Sequence, residues 1–174
     1  IADLVLPTPL TLQSDGRLLV GGLFTAYNGI AANGIVRVLS SGAIDPDFNT
    51  GDAGFASSVN VRALATRLND KIVAGGNFTT YNAVTRNRLA WLNADGTLDT
   101  GFAPSSGVGG GIVSALHVQS DNKTLVGGFF NSVNGTARNG FVRINADGST
   151  DTSRVSGGCR ARNAGGGSRL RRGS

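Results

Sequence analysis

The sequence contains no glutamate and no methionine, and it has one histidine and one cysteine. Because Cys159 has no second cysteine to pair with, an intrachain disulfide is excluded and the redox compartment stays open. His117 is the only available base for nucleophilic catalysis of the Ser-His-Asp kind, and the only imidazole for a metal site. Without glutamate, a carbohydrate-processing enzyme would have to use two aspartates as its catalytic pair.

No catalytic motif accompanies these few residues. His117 falls in a predicted strand, and the nucleophile elbow G-x-S-x-G does not occur in the sequence. A single histidine without clustered carboxylates matches no ligand template, so we interpret His117 as an ordinary strand residue. We predict a protein that is not an enzyme, with no catalytic residues, no metal and no cofactor.

Long apolar runs are also missing. No stretch of about 18 apolar residues exists for a membrane-spanning helix, and no signal peptide opens the printed chain. The start at Ile1 and the lack of methionine indicate a processed product or a piece of a longer protein. The 27 glycines predict many turns, and 40% hydrophobic against 16% charged residues predicts a folded chain.

Positive charge is concentrated at one end of the sequence. The formal net charge is +5, but residues 154–174 hold six of the 16 Lys and Arg residues and no acid. The remainder is nearly neutral and lacks the basic stripe of a nucleic-acid binder. The Arg/Gly-rich tail resembles an RNA-binding or anionic-surface arm, but it lacks interleaved aromatic residues. We predict a disordered or non-native tail and no nucleic-acid partner.

Self-comparison reveals a repeat at intervals of 54 and 52 residues. A glycine pair, a trailing phenylalanine and a closing aspartate all keep these offsets. A fixed period near 50 residues is typical of β-propeller blades. The markers are Gly21, Gly22 and Phe24, then Gly75, Gly76 and Phe78, then Gly127, Gly128 and Phe130, with aspartates at 45, 99 and 151.

Apolar alternation and turn residues predict four short strands in each unit. A phenylalanine near the end of a unit, Phe48 or Phe102, is expected to plug the gap to the next one. We predict an all-β fold of tandem four-stranded antiparallel sheets, arranged as β-propeller-like blades. The units span residues 5–56, 57–108 and 109–153, with the third incomplete. Because closing a ring takes about four blades, we expect a partial or oligomer-completed propeller.

The stretches at 13–24 and 139–148 resemble the delta-60 repeat, a predicted β-propeller repeat common in large exported bacterial proteins. The resemblance covers roughly residues 5–153 and rests on the paired glycines, the Asn-Gly step and both Asp-Gly turns in order. Unit three departs from the pattern where Arg154 stands in place of the expected phenylalanine. The resemblance implies a fold and an extracellular or cell-surface bacterial setting, and it brings no catalytic residues.

Aromatic and loop residues are the remaining candidates for binding. Tyr27 and Tyr81 fall in predicted loops, so we predict them as ligand contacts, whereas Trp91 alternates within an apolar strand and should be buried. The glycine run 107–111 resembles a phosphate-binding loop, but a strand follows it, which indicates a linker between units. The aspartates at turns and unit ends could supply calcium ligands, but no EF-hand spacing occurs, so we interpret them as turn residues.

These features favour a non-catalytic structural or binding scaffold, of the secreted or cell-surface adhesion type. Two alternatives stay open: a virion or tail-fibre component, and a carbohydrate-binding or carbohydrate-processing protein. The expected partners are a protein or glycan surface and, through self-association, neighbouring repeats, because repeat units with uncovered faces expose apolar surface.

Overall fold

The computed structural model describes residues 9–50, 54–56, 59–102 and 106–153. Within these ranges the regular structure consists of β-strands and one short 3-10 turn at Leu68–Asp70. The all-β prediction is therefore confirmed. None of the helical structure in the described ranges is long and apolar enough to cross a lipid bilayer.

Five strands follow the same order in each of the three units, and unit three has one additional short strand, β11, before them. Unit one contributes β1 (Leu10–Leu12), β2 (Leu18–Gly21), β3 (Ala26–Tyr27), β4 (Ile30–Ala31) and β5 (Ile35–Val38). Unit two contributes β6 (Val61–Thr66), β7 (Ile72–Gly76), β8 (Thr80–Tyr81), β9 (Val84–Thr85) and β10 (Leu89–Leu92). Unit three contributes β11 (Val108–Gly109), β12 (Ile112–Val118), β13 (Thr124–Phe129), β14 (Ser132–Val133), β15 (Thr136–Ala137) and β16 (Phe141–Ile144).

Each unit forms a three-stranded antiparallel sheet with its second long strand in the centre, in the orders β1-β2-β5, β6-β7-β10 and β12-β13-β16. The fourth strand predicted from the sequence is reduced to one bridging residue in each unit, at Ile44, Leu98 and Thr150. The loop after each glycine pair contains a two-stranded ribbon that was not predicted, and in unit three β11 adds a third strand to it. It forms because the two turn residues, such as Asn28 and Gly29, both adopt positive φ, which matches the twist of a tight hairpin.

The marker glycines and phenylalanines occupy equivalent places in the three sheets. In each unit the second glycine donates its N–H to the carbonyl of the residue that follows Asn33, Asn87 or Asn139. That residue donates its own N–H to the carbonyl of the marker phenylalanine. The repeat read from the sequence is thus a structural repeat. The bonds join Gly22 to Gly34 and Gly34 to Phe24, then Gly76 to Arg88 and Arg88 to Phe78, then Gly128 to Gly140 and Gly140 to Phe130.

The two larger hydrophobic core clusters lie between the units, and a smaller one lies within unit one. One buried cluster joins Leu19 and Ile35 of unit one to Val61 and Phe78 of unit two, and a second joins unit two to unit three. Each single sheet leaves an apolar face that its neighbour must cover, which is the physical reason that such units stack.

Phenylalanine plugs close each junction, as predicted. Phe102 is 2% exposed and lies so close to Gly148 that a Cβ there would meet its ring at 2.2 Å. Phe48 approaches Gly96 in the same way, at 2.8 Å. The Asp-Gly turns at Gly96 and Gly148 therefore require glycine both for their positive φ and because the ring of the preceding unit fills the adjacent space.

Candidate functional site

An open cleft of about 310 Å³ lies where unit two meets unit three. Strand ends, the 3-10 turn and the loop before Ala146 form its walls. Its lining combines the two cations Arg67 and Lys71, the carboxylate of Asp99 and the indole of Trp91. Asn122 and Ala146 line it from unit three. Convergent polar groups in a concave surface make this cleft a candidate binding site.

Trp91 forms the floor of the cleft. The predicted burial of this residue is confirmed, because its side chain is 2% exposed. Its ring stacks on the Phe102 plug, with centroids 3.9 Å apart and planes inclined by 17°. The buried Nε1 of Trp91 has no hydrogen-bond partner among the described residues.

Arg67 covers the other face of the indole. Its guanidinium carbon lies 3.6 Å from the Trp91 ring centroid, which is close enough for a cation-π interaction. Arg67 Nη2 donates to the carbonyl of Ala146 in unit three at 3.0 Å, so this side chain also ties two units together. Burial lowers the pKa of Arg67, and the nearby Asp99 opposes that effect.

Asp99 supplies the carboxylate of the cleft. Lys71 Nζ donates to its Oδ2 at 2.8 Å, and the backbone N–H of Gly101 donates to its Oδ1 at 3.0 Å. Burial alone would raise the pKa of Asp99, but the hydrogen bonds from Lys71 and Gly101 outweigh it and hold the pKa below its ordinary value of 3.8. This carboxylate is therefore ionised and unsuited to act as a general acid near neutral pH.

The same carboxylate and cation recur in every unit. Each unit-end aspartate accepts the N–H of the residue two positions on and pairs with the cation that precedes the central strand. The pairs are Arg17 with Asp45 at 3.4 Å, Lys71 with Asp99 at 2.8 Å and Lys123 with Asp151 at 3.2 Å. Their role as turn residues is confirmed, and the ion pairs were missed by sequence analysis.

Unit one fills the equivalent junction with a different pair of side chains. Arg37 occupies the position of Trp91, and its Nε donates to Asp45 at 2.9 Å while Nη1 donates to the carbonyl of Ala94 in unit two at 2.6 Å. Gln13 occupies the position of Arg67 and also donates to Ala94, at 3.2 Å. Gln13 and Arg37 are both 4% exposed, so this junction is closed.

The structure does not support one of the two predicted contact residues. Tyr81 is fully buried, and its hydroxyl donates to the carbonyl of Gly96, so its predicted role as a ligand contact is wrong. The short ribbon that contains it turns the ring towards Phe55, 4.7 Å away between centroids. Tyr27 is half-buried against the small core cluster of unit one, and its predicted contact role stays a prediction.

The other sequence candidates lie away from the cleft or have structural roles. His117 is exposed on β12, and no group of three or more His, Cys, Asp or Glu side chains suited to a metal occurs in the described part of the chain. The glycine run 107–111 leads into β12 rather than into a helix, and Arg88 Nη1 donates to the carbonyl of Val108 within it at 2.9 Å. Cys159 and the predicted tail at 154–174 lie outside the described residues.

The repeat itself carried the signal that would have located the cleft. Aligned by their glycine pairs, units one and three place Gln and Arg at the two junction positions, whereas unit two places Arg and Trp there. A paired exchange at two positions indicates side chains that touch. The pairs are Gln13 with Arg37, Arg67 with Trp91, and Gln119 with Arg143.

Comparison with protein families agrees with this architecture. Residues 13–48, 68–102 and 119–153 each match the family described as a domain of unknown function (DUF5122) beta-propeller. The expected resemblance to a β-propeller repeat is therefore confirmed, under a different family name from the delta-60 repeat. A comparison with curated proteins finds no match.

Proposed function

We propose, from the premise that this chain belongs to the DUF5122 beta-propeller family, that it is a non-catalytic binding scaffold of a secreted or cell-surface adhesion protein. Membership of a β-propeller repeat family suggests a binding or scaffold module. The adhesive role, the extracellular setting and the absence of catalysis are our proposals, because a fold by itself does not determine a function.

The single observation that carries this proposal is the repeated, exposed ribbon at the edge of each unit. Strands β4, β9 and β15 are exposed along their whole length. Their first residues are β-branched, and two of them are apolar: Ile30 is 56% exposed and Val84 is 43% exposed, with Thr136 at the third position. Apolar side chains repeated at an outer edge can bind one extended partner at several points.

The charged groups support a binding role rather than a hydrolytic one. A glycosidase needs two carboxylates facing one cleft, one of them with a raised pKa. In the cleft beside Trp91 the carboxylate present is Asp99, whose pKa is lowered. The aspartates that close the units are each paired with a cation, which is a structural use of charge.

A binding array tests the proposal. The purified chain is applied to immobilised glycans and to extracellular matrix proteins, alone and as the variant Ile30→Asp/Val84→Asp. We expect saturable binding to at least one surface, weakened about tenfold or more by the variant because two apolar contacts are lost. The matched control is Ser41→Asp, which places a carboxylate at an exposed turn after β5, away from the ribbons and from the cleft.

Other outcomes would replace the proposal. Release of sugars from a bound polysaccharide would favour a carbohydrate-processing enzyme. Regular fibres or shells in electron micrographs, without binding to either array, would favour a virion or tail-fibre component. Equal loss of binding in the ribbon variant and in Ser41→Asp would remove the ribbons as the contact surface.

A further inference from the structure

We infer that the outer face of unit three binds unit one of a second copy of this chain, head to tail, through the contacts that join the units inside one chain. The inference rests on the proposed scaffold function and names one partner for it. Two internal junctions in the same molecule serve as templates for the contact, so the occupant and its orientation follow from the structure.

In both templates a valine and a leucine of the next unit pack against the first glycine of the pair. A Cβ at Gly21 of unit one would lie 2.9 Å from Cγ1 of Val61 and 3.0 Å from Cδ1 of Leu64 in unit two. A Cβ at Gly75 of unit two would lie 3.3 Å from Cδ1 of Leu116 in unit three, and 2.4 Å from Val113. In units one and two, a side chain at the first glycine of the pair would collide with the next unit.

The equivalent glycine of unit three, Gly127, has no leucine packed against it among the described residues. The nearest atom to a Cβ at Gly127 is Ala115 Cβ of its own sheet, at an ordinary contact distance of 3.7 Å. The neighbouring Phe141 is 42% exposed, whereas Ile35 and Leu89 at the equivalent positions are 4% and 1% exposed. A core-forming face is thus uncovered among the described residues.

Unit one presents the complementary leucine. Leu10 pairs with Val20 in the register that Leu64 and Leu116 have in their own sheets, so it is their equivalent. It is 59% exposed, against 9% for Leu64. Leu10 of one copy can therefore pack against Gly127 of another. Its burial would remove apolar surface from water on both chains.

Polar groups on the two faces match in the same way. In the first junction Gln13 Nε2 donates to the backbone carbonyls of Asp70 and Ala94 in unit two, which holds the sheets in register. Unit three carries Gln119 at the equivalent position. In a second copy, the carbonyls of Gly16 and Ser40 would be the equivalent acceptors for the Nε2 of Gln119.

Complementary blocked variants give the decisive experiment. Gly127→Gln places a side chain on unit three where the leucine of the second copy would pack. Leu10→Asp removes that leucine from unit one. Analytical ultracentrifugation of the full chain should show concentration-dependent association, weakened about tenfold or more in either variant because an anchor contact is lost. An equimolar mixture of the two variants should form a one-to-one dimer, since each retains one intact face and a head-to-tail contact needs only one of each.

Several results would overturn the inference. A wild-type chain that stays monomeric at high concentration would refute it, as would a variant mixture that does not dimerise although both variants retain the wild-type far-ultraviolet spectrum and melting temperature. Undiminished association in both variants would show that another surface is responsible. These measurements contain no glycan or host surface. A negative result would refute the self-association without testing the proposed adhesive role, which the binding array tests separately.

Discussion

The middle unit differs from the two flanking units at the positions that face its neighbours. Units one and three use glutamine and arginine where unit two uses Arg67 and Trp91. In both internal junctions a guanidinium of one unit donates to a carbonyl of the next, from Arg37 to Ala94 and from Arg67 to Ala146. A cation therefore bridges the two units in both junctions. It lies on β5 in the first junction and directly after β6 in the second.

We infer from this difference that a junction needs a cation and a planar side chain rather than particular residue types. Arg37 lies 5.0 Å from the Phe48 ring centroid, and Trp91 stacks on Phe102 at the equivalent place. Moving the cation to Arg67 leaves an open cleft beside Trp91, whereas the first junction buries Gln13 and Arg37.

Removing the indole should have the largest effect. We expect Trp91→Ala to lower the free energy of unfolding by about 3–5 kcal/mol, because a buried aromatic side chain is deleted between Phe102 and Arg67. Urea denaturation followed by circular dichroism measures the change. Leu68→Ala, at an exposed position beside the same cleft, should change stability by less than about 0.5 kcal/mol, and equal losses would contradict the role of the stack.

Exchanging both junction residues should sharpen the comparison. We expect the single variants Arg67→Gln and Trp91→Arg each to cost about 1–3 kcal/mol, since each leaves a partner without its match. The double variant, which recreates the Gln and Arg pair of units one and three, should recover at least about 1 kcal/mol of the summed loss.

A double-mutant cycle from the same denaturation curves measures this coupling. Strict additivity of the two single effects would show that Arg67 and Trp91 act independently, contrary to the geometry.

Acid should weaken both junctions through their aspartates. Burial tends to raise the pKa of Asp45, but the Asp47 N–H and the guanidiniums of Arg37 and Arg17 hold it below 3.8, as Lys71 and Gly101 do for Asp99. A lowered pKa in the folded state means that the unfolded chain binds protons more readily. The stability from these groups is therefore complete above about pH 4 and is lost as the pH falls below it.

Urea denaturation between pH 7 and pH 2 tests this expectation. Asp45→Asn and Asp99→Asn should each reduce the dependence of stability on pH in the acid range. An unchanged pH dependence in both variants would show that these carboxylates do not control acid unfolding.

The smallest predicted effect concerns the ribbon turn of the middle unit. Ala83 has φ of +61°, where units one and three have Gly29 and Gly135. We expect Ala83→Gly to raise the free energy of unfolding by about 0.5–1 kcal/mol, because glycine adopts this conformation without strain. Gly29→Ala and Gly135→Ala are matched controls, since each would have its Cβ in open space, and they should lose a similar amount.

Local patterns explain which predictions were correct. Short strands were predicted in each unit, and the structure has them, for example at Leu89–Leu92 and Phe141–Ile144, because apolar β-formers between turn residues specify strands locally. The burial of Tyr81 was missed because it depends on Phe55, whose side chain approaches from a distant part of the chain. The cleft was missed because its lining comes from two units.

The sequence by itself determined the repeat, the strands and the turns, because glycine pairs, apolar alternation and Asp-Gly steps act within one unit. Only the tertiary structure decided which glycine receives the leucine of the next unit, which aspartate pairs with which cation, and where a cleft remains. The leucine and glycine contacts join residues about 40 positions apart in two units, and the ion pair of Lys71 with Asp99 joins residues 28 positions apart in one unit. The free energy of the contacts between units comes from burial that exists only after two sheets have packed together.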